Sequence, residues 1–544
     1  MTIFKGTIVD IVAEKIFKGE LHIENEKISA IIPNADITET QYILPGLIDA
    51  HIHIESSMLI PSEFARLAST HGTVATVSDP HEIANVLGID GVKFMIKNGK
   101  KVLFKFFFGA PSCVPATPFE NAGASLGPAE VEDLLKMKDI KYLAEMMNFP
   151  GVLNNDAEVM AKLTSAKKHG KPVDGHAPGL KGKDAQKYVR AGISTDHECF
   201  TVEEALDKMN EGMFVQIREG SAAKNFDSLI ELMEKYSDRI MLCSDDKHPN
   251  DLEQGHINQM IKRAIAKGHT LLNILKSCTL NPIQHYKLDV GLLQVGDDAD
   301  FIIIDNPKEF NVLKTFVKGQ LIAENGKTLI ESIEEETPNL FVAKALKLSD
   351  LKIEPKNGDI KVIQAVDDQL ITKSILKKPL VKQNNVISDT ENDVLKLVVL
   401  NRYKSAKPSL GFISGFGFKN GAIASSVAHD SHNIIAVGST DKELLEAINL
   451  VIKNTGGVSW VCDKEQMVLP LPVAGIMSNR DGFKVSKTYA EIDKKAKSLG
   501  GKLKAPFMTL SFMALLVIPE LKLSDKGLFD GNQFAFTELF ESAI

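Results

Sequence analysis

Two histidines, His51 and His53, stand two residues apart at the end of the β-rich run LIDAHIHI. Side chains at positions i and i+2 of a strand lie on the same face, so the two imidazoles converge on one point. Such a pair can bind a metal ion. In isolation it is more typical of two polar residues on a loop, so other residues must decide between the interpretations.

Four further ligand-type residues follow or interrupt similar runs. Glu145 lies inside the otherwise apolar run YLAEMM, where burial of an unpaired carboxylate would be costly. Its alternative role is an ion pair with Lys105 or Lys141. The other three stand at the ends of later runs: His176, His197 and Asp245. Each of these alone could be a capping or internally satisfied polar group.

Together these residues form a set of four imidazoles and two carboxylates: His51, His53, Glu145, His176, His197 and Asp245. The set is too large for one tetrahedral catalytic site, which takes three protein ligands and a water. It predicts two divalent ions with Glu145 as the bridge, because a carboxylate has two oxygens to share. Nitrogen and oxygen ligands without thiolates are compatible with Mn, Fe or Zn.

The scaffold that positions these residues is predicted from an alternation of strands and helices between residues 46 and 290. Eight short apolar or β-branched runs are separated by amphipathic stretches such as Ala157–His169 and Ser228–Tyr236. The predicted strands are Leu47–Ile54, Thr73–Ser78, Val102–Phe108, Tyr142–Met147, Pro172–His176, Ile193–His197, Met213–Ile217 and Ile240–Ser244. Eight units over ~250 residues predict an α/β fold of the (β/α)8 TIM-barrel type, which keeps its active sites at the C-terminal ends of the strands. Without the weakly patterned fifth and sixth strands, the count would favour a doubly wound sheet.

Both flanks of the barrel segment contain short strand-like runs with hairpin turns, Glu-Asn-Glu-Lys before it and Glu-Asn-Gly-Lys after it. They predict a small β domain built from residues 1–45 and 291–335. An acidic linker, Glu331–Asn339, leads to a predicted C-terminal α/β domain at residues 346–544. Strands at Leu395–Leu400 and Asn433–Ser439 and a helix at Lys442–Lys453 are expected there.

The composition and charge of the chain indicate which binding partners are not expected. The 544 residues carry a formal net charge of −8, which argues against a nucleic-acid-binding protein. No apolar run approaches the ~20 residues that span a bilayer, and the N-terminus lacks a signal-peptide core. The 5 cysteines are scattered, without a C-x-x-C motif. We therefore expect a cytoplasmic protein with no membrane or nucleic-acid partner; the sequence leaves a homo-oligomer open.

Long motifs resemble the bacterial adenine deaminase family of the amidohydrolase superfamily. They read LPGLIDAHIHIESSM, GTVATVSDPHEIANVLG, AEMMNFPGV, VDGHAPG, AGISTDHE and CSDDKHP, with SSVAHDSHNIIAVGS in the C-terminal region. Many relatives in the superfamily have a carboxylated lysine where this chain has Glu145. The resemblance implies two divalent ions, with Mn or Fe favoured over Zn. It also implies hydrolytic deamination of adenine to hypoxanthine and ammonia in purine salvage, with adenosine excluded.

In this interpretation the two ions, with Glu145 between them, lower the pKa of a shared water, and the resulting hydroxide attacks C6 of the purine. Asp245 accepts the proton and passes it to the departing amine. Two alternatives remain at this stage. One is another amidohydrolase acting on a cyclic amide or an N-acyl group, and the other is a non-catalytic barrel scaffold, which would be expected to lose ligands.

Candidate substrate-binding residues surround the predicted metal site: Asp79, His81, Glu82, Arg218 and His248. Each has a structural alternative. The segment SDPHE could be a helix N-terminus with Asp79 as its cap and Glu82 three residues later. Arg218 could lie on a solvated loop, and His248 could belong to a plain turn before Pro249. A further polar cluster, His429, Asp430 and His432, favours an interdomain hydrogen-bond network over a second metal site.

Overall fold

The computed structural model describes residues 1–367 and 369–541. The chain begins with four strands: β1 (Thr2–Asp10), β2 (Lys15–Glu24), β3 (Lys27–Pro33) and β4 (Tyr42–Pro45). Strands β2 and β3 form the hairpin predicted at Glu-Asn-Glu-Lys, with Glu24 opposite Lys27. Asn25 and Glu26 both adopt positive φ, of 50° and 66°, which matches the twist of a two-residue hairpin turn.

Eight parallel strands follow, each close to its predicted place. They are β5 (Leu47–Ile52), β6 (Thr73–Ser78), β7 (Lys105–Ala110), β8 (Ile140–Met146), β9 (Val173–Gly175), β10 (Thr195–Asp196), β11 (Phe214–Arg218) and β12 (Ile240–Cys243). They pair in chain order from β5 to β9 and from β10 to β12. Backbone bonds of 2.9 Å from Ser194 N to Val173 O and from Asp245 N to His51 O join the two groups. The predicted (β/α)8 barrel is confirmed.

Strand β7 corrects one predicted boundary, because it begins at Lys105 and not at Val102. The Lys105 ammonium lies 2.7 Å from Asp298 and 2.6 Å from Asp300, which ties the start of the strand to the segment after the barrel. These contacts also exclude Lys105 as the partner of Glu145. Lys141, the other proposed partner, lies over the ring of Phe107. The alternative role of Glu145 as part of a lysine ion pair is therefore wrong.

The barrel helices are α1 (Pro61–Ala68), α2 (His81–Gly99), α3 (Pro128–Lys136), α4 (Phe149–Leu153), α5 (Ala157–Lys168), α6 (Gly182–Arg190), α7 (Val202–Asn210), α8 (Phe226–Leu229), α9 (Met233–Tyr236), α10 (Pro249–Gln254), α11 (Ile257–Ala266), α12 (Leu271–Ser277) and α13 (Leu280–Tyr286). Helix α5 begins as predicted, and the Asp156 side chain caps it by accepting from the backbone N–H of Glu158 and Val159. The amphipathic stretch Ser228–Tyr236 is also helical, but it is not one continuous helix. That segment divides into α8, a 3₁₀ turn at Ile230–Leu232 and α9.

Four strands after the barrel complete the small β domain: β13 (Phe301–Ile304), β14 (Val312–Val317), β15 (Gln320–Glu324) and β16 (Lys327–Thr328). Strand β13 pairs antiparallel with β4, so one eight-stranded sheet contains strands from both flanks, in the order β16-β15-β14-β13-β4-β1-β2-β3. Both flanks therefore contribute to one sheet. The domain limits at residues 1–45 and 291–335 remain a prediction.

The C-terminal region is built on a second eight-stranded sheet, in the order β18-β17-β22-β21-β24-β23-β25-β26. In chain order, the strands of the C-terminal region are β17 (Ile360–Ala365), β18 (Thr372–Lys377), β19 (Leu380–Lys382), β20 (Asn385–Ile387), β21 (Leu395–Leu400), β22 (Ser409–Ser414), β23 (Ala422–Ser425), β24 (Ile434–Gly438), β25 (Gly457–Cys462), β26 (Glu465–Pro470), β27 (Leu521–Ser524), β28 (Gly527–Asp530) and β29 (Ala535–Phe536). Strands β19 and β20 form one separate sheet, and β27, β28 and β29 form another. The helices are α14 (Asp441–Lys453), α15 (Gly482–Lys497) and α16 (Pro506–Ser511). The predicted strands β21 and β24 and helix α14 are confirmed. Of the predicted domain 346–544, residues 368 and 542–544 lie outside the described part.

The C-terminal region packs against the barrel through buried polar contacts as well as apolar ones. Arg66 of α1 lies 2.8 Å from Asp481, the N-cap of α15. The backbone N–H of Gly482 donates to Glu63 at 2.8 Å. Among the described residues, no helix is long and apolar enough to cross a membrane.

Candidate metal centre and active site

The six predicted metal ligands lie together at the C-terminal ends of the barrel strands. Glu145 is central to the cluster. Its Oε1 lies 3.3 Å from His53 Nε2, and its Oε2 lies 2.8 Å from His176 Nδ1 and 3.3 Å from His197 Nε2. Asp245 Oδ1 completes the set, at 3.6 Å from His51 Nε2 and 3.3 Å from His53 Nε2. Each oxygen of Glu145 therefore faces a different group of imidazoles, as a bridging ligand requires.

The donor set fits divalent metal ions. His51, His53 and Asp245 offer ligand atoms within 4.8 Å of one another, and so do His51, Glu145 and His197. All five side chains are buried. Neither ring nitrogen of His51 has a hydrogen-bond partner among the described residues, although buried polar atoms are normally satisfied. Imidazole nitrogens without a partner in the protein, beside clustered carboxylates, are the arrangement expected of metal ligands.

Arg218 controls the electrostatics on one side of the cluster. Its Nη1 donates at 2.5 Å to Asp245 Oδ2, and its guanidinium also donates to both oxygens of Glu198, at 2.5 and 2.8 Å. Burial raises the pKa of Asp245, but Arg218 and then His51 outweigh it and hold that pKa well below its usual value. Arg218 is 1% exposed, so the solvated-loop alternative is wrong. Its donors are directed at carboxylates, which makes it a positioning residue for Asp245.

The segment SDPHE lies inside the cluster. Helix α2 begins at His81, whose Nδ1 lies 3.2 Å from Asp79 Oδ2 and 3.3 Å from Glu145 Oε1. Asp79 Oδ1 accepts from the His81 backbone N–H at 3.1 Å. The helix N-terminus proposed for this segment is therefore present, with Asp79 bonded to its first backbone N–H, but Glu82 does not fold back onto the helix start. The predicted contact of Asp79, His81 and Glu82 with substrate remains a prediction.

Glu82 connects the barrel to the C-terminal region. Its Oε1 accepts from His429 Nδ1 at 2.5 Å, and its Oε2 accepts from His432 Nε2. Burial raises the pKa of Glu82, but His429, His432 and His81 hold it well below its usual value. The predicted interdomain hydrogen-bond network is confirmed. Asp430 lies between the two histidines in sequence and faces His81, 4.0 Å away.

His248 is placed away from the cluster. Its Nδ1 shares a 2.6 Å hydrogen bond with the hydroxyl of Tyr489 in α15. Burial lowers its pKa to about 4, so the ring is neutral. It borders a separate cavity with Ser221 and Asp251. The ring packs between the barrel and α15 and does not line the cavity over the cluster, and the expected contact of His248 with the substrate or the leaving group remains a prediction.

The cavity over the cluster holds residues that the sequence did not indicate. Its walls surround about 350 Å³ of space, open solvent included, of which about 30 Å³ can hold the centre of a water molecule. Beside the predicted residues and His429 and Asp430 of the polar cluster, its walls include Glu198, Asp246, Met147, Leu370, Phe512, Leu515 and Ile518. Glu198 and Asp246 each directly follow a predicted ligand, so adjacency was an available signal. Apart from Met147, which follows β8, the apolar residues come from the C-terminal region, and they carry no local pattern that points to a site.

A (β/α)8 barrel with clustered imidazole and carboxylate ligands at its C-terminal end defines the class: a metal-dependent hydrolase of the amidohydrolase family. The amidohydrolase family model matches residues 42–322, and the model described as "Adenine deaminase C-terminal domain" matches residues 369–535. These two matches cover the barrel with the adjoining strands β4, β13 and β14 and most of the C-terminal region.

Relatives that match nearly the whole chain show to which family of amidohydrolases it belongs. A protein from Sulfurovum sp. (strain NBC37-1) named "Adenine deaminase" is 54% identical over 98% of this chain and 99% of its own length. One of the same name from Methanosarcina mazei is 51% identical over 99% of both chains. The chain therefore belongs to the adenine deaminase family. Among solved structures, N-acetyl-D-glucosamine-6-phosphate deacetylase from Mycobacterium smegmatis shares 14% identity, with a TM-score of 0.47 over 59% of this chain and 100% of its own.

Proposed function

We propose that this chain catalyses the hydrolytic deamination of adenine to hypoxanthine and ammonia, as a step of purine salvage in the cytoplasm. The observation that carries the proposal is the cluster of mostly buried imidazoles and carboxylates that could hold metal ions, in a chain that is 54% identical over 98% of its length to a protein named adenine deaminase. Six ligand-type residues from the ends of five strands meet in one cluster, which argues against a barrel that only binds partners.

The residues proposed to hold two divalent ions are His51, His53, Glu145, His176, His197 and Asp245. We expect Mn or Fe, with Zn also compatible with nitrogen and oxygen ligands. When bound, the ions supply a Lewis acid and a water of lowered pKa at neutral pH. Glu145 is proposed as the shared ligand because its two oxygens face different imidazoles, within 3.3 Å on each side.

Asp245 is the proposed proton carrier. Its Oδ2 is fixed by Arg218 and its Oδ1 lies beside the imidazoles of His51 and His53, so the carboxylate is held in one orientation. It is ionised because its pKa is held low, and it can therefore accept a proton from the water that adds to C6. Asp245 then returns the proton to the exocyclic amine, which leaves as ammonia while the ring carbon keeps the oxygen.

The C-terminal region is proposed to exclude bulk water and large substrates. Phe512, Leu515 and Ile518 form an apolar part of the cavity wall opposite the barrel. An apolar wall strengthens the electrostatic interactions inside the site and suits the faces of a flat purine ring. A ribose attached to N9 would have to displace this wall, so adenine is the expected substrate and adenosine is not.

The proposal is tested by incubating the purified chain, reconstituted with Mn²⁺ or Fe²⁺, with adenine and measuring hypoxanthine and ammonia together. We expect both products in equal amounts and no inosine from adenosine at the same concentration. A dihydropyrimidine and an N-acetyl sugar test the alternative amidohydrolase activity. Turnover of either of these without turnover of adenine would contradict the proposed function.

A further inference from the structure

Asp430 differs from the other carboxylates that line the cavity over the metal cluster. It is 3% exposed, and its Oδ2 has no hydrogen-bond partner among the residues that the structure describes. The nearest cationic atom is His81 Nε2 at 4.0 Å, beyond hydrogen-bonding distance. A buried carboxylate oxygen without a donor is costly, so this position is expected to receive one from a bound molecule.

The neighbouring carboxylates already have partners. Glu145 and Asp245 face the predicted metal ligands, Glu198 is held by Arg218, and Glu82 accepts from His429 and His432. Asp246 Oδ1 accepts from the hydroxyl of Ser56 at 2.5 Å. Among the acidic side chains of the cavity wall, Asp430 therefore offers the acceptor that the protein itself leaves unused.

The position of Asp430 relates it to the far edge of a bound purine. Asp430 lines the same cavity as the cluster and is close to it, since His81 Nδ1 lies 3.3 Å from Glu145 Oε1 and His81 Nε2 lies 4.0 Å from Asp430 Oδ2. Phe512, which also lines the cavity, stacks on His429 with ring centroids 4.5 Å apart and planes 12° from parallel. The C-terminal region thus provides both an apolar surface and one carboxylate.

We infer that Asp430 accepts a hydrogen bond from the N–H of the five-membered ring of the purine and thereby selects the free base over its N9-substituted derivatives. The inference rests on the proposed function, in which C6 of the six-membered ring lies at the metal ions. A free purine base carries one N–H on its five-membered ring, and substitution at N9 removes that donor. An N9-substituted purine would leave the Asp430 carboxylate buried and unpaired, apart from any collision of the substituent with the wall.

The experiment compares adenine with 9-methyladenine in the wild-type chain and in Asp430→Asn and Asp430→Ala. A methyl group removes the N–H while adding far less bulk than a ribose. The variants should lose about 10- to 100-fold in kcat/KM for adenine, the range for a hydrogen bond to a charged group, mainly through KM. Their kcat/KM for 9-methyladenine should change by less than about 3-fold, so discrimination between the two substrates collapses.

Asp493→Asn is the matched control. Asp493 also lies in the C-terminal region and has a buried oxygen without a hydrogen-bond partner in the described structure, but it borders a different cavity. The Asp493→Asn variant should keep the wild-type kcat/KM for both substrates. Calorimetric binding of hypoxanthine, which carries the same ring N–H, gives a readout independent of turnover and should weaken by a similar factor in the Asp430 variants only.

Several results would overturn the inference. His81, Glu82 and Asp430 also form a group that could hold a metal ion, so loss of a metal equivalent in Asp430→Asn would assign the residue to metal binding instead. Equal losses in kcat/KM for adenine and 9-methyladenine would leave the discrimination between them unchanged. That result would show that Asp430 does not contact the ring N–H and would reject its role in specificity. A wild-type chain that fails to deaminate adenine would reject the proposed function, and this inference with it.

Discussion

Replacing Arg218 by methionine tests how the ionisation of Asp245 is maintained. Arg218 Nη1 donates to Asp245 Oδ2 at 2.5 Å, and the same guanidinium pairs with both oxygens of Glu198. Burial raises the pKa of Asp245, and Arg218 is the strongest influence that lowers it. Methionine retains an unbranched side chain with an apolar stem but removes the charge and all the hydrogen-bond donors.

The expected effect on the pH profile follows from the sign of this pKa change. Asp245 can accept a proton only as a carboxylate, so activity is present above its pKa and is lost as the pH falls through it. An arginine beside an aspartate lowers the aspartate pKa by about 1 to 3 units. In Arg218→Met the acidic limb of the kcat/KM profile should therefore move to higher pH by about 1 to 3 units.

Stability should fall at the same time, because Glu198 and Asp245 are left buried without their common partner. Removal of one member of a buried ion pair costs about 3–5 kcal/mol in the free energy of unfolding. Denaturant unfolding near neutral pH measures this loss, and kcat/KM for adenine across the acidic and neutral range measures the shift of the limb.

Arg263→Met provides the control. Arg263 pairs with Glu219 at 2.7 Å and Asp227 at 2.9 Å, but its side chain is 38% exposed and it does not line the cavity over the cluster. Surface ion pairs contribute about 0–1 kcal/mol to the free energy of unfolding. In Arg263→Met, neither the free energy of unfolding nor the acidic limb of the kcat/KM profile should therefore change much. An Arg218→Met variant with the acidic limb of the wild type would refute the argument that Arg218 keeps Asp245 ionised.

Three further predictions concern the cluster and its support. His51→Ala and Glu145→Gln should lower metal content, measured by elemental analysis, and adenine turnover together; full metal occupancy in both variants would contradict the ligand assignment. Asp245→Asn is nearly isosteric and should keep the fold by circular dichroism while losing about two to four orders of magnitude in kcat, and a nearly active variant would place the proton on another residue. Lys208 is fully buried and pairs with Asp196 at 2.9 Å and Glu204 at 3.0 Å, so Lys208→Met should lower the free energy of unfolding by about 3–5 kcal/mol; a change below 1 kcal/mol would show that these carboxylates find other partners.

The barrel could be predicted because each of its strands can be recognised from a short stretch of sequence. Each strand is a short apolar run, and the ligand-type residues stand where those runs end, so His51 and His53 already indicate the end of a strand. The mid-strand position of Glu145 identified it as unusual for the same reason, since a buried carboxylate needs a partner. Conversely, the run Ser228–Tyr236 has helical periodicity, but the folded segment divides it at Ile230–Leu232.

The contribution of the C-terminal region could not be derived in the same way. Glu82 and His429 are 347 positions apart in sequence, and their contact depends on how the C-terminal region docks over the barrel mouth. Polar residues at 429–432 suggested a hydrogen-bond network but not its partner. Phe512 has the pattern of an ordinary core residue, and only its place in the fold puts it in the cavity wall.

Titration of the metal-free chain with Mn²⁺ or Fe²⁺, with adenine turnover measured at each point, tests the central claim most directly. Five proposed ligands arranged around Glu145 as the proposed shared ligand predict that hypoxanthine formation rises with added metal and reaches its maximum at two equivalents per chain. Full adenine turnover by the metal-free chain, or a maximum at a single equivalent, would contradict the account of a two-metal adenine deaminase site.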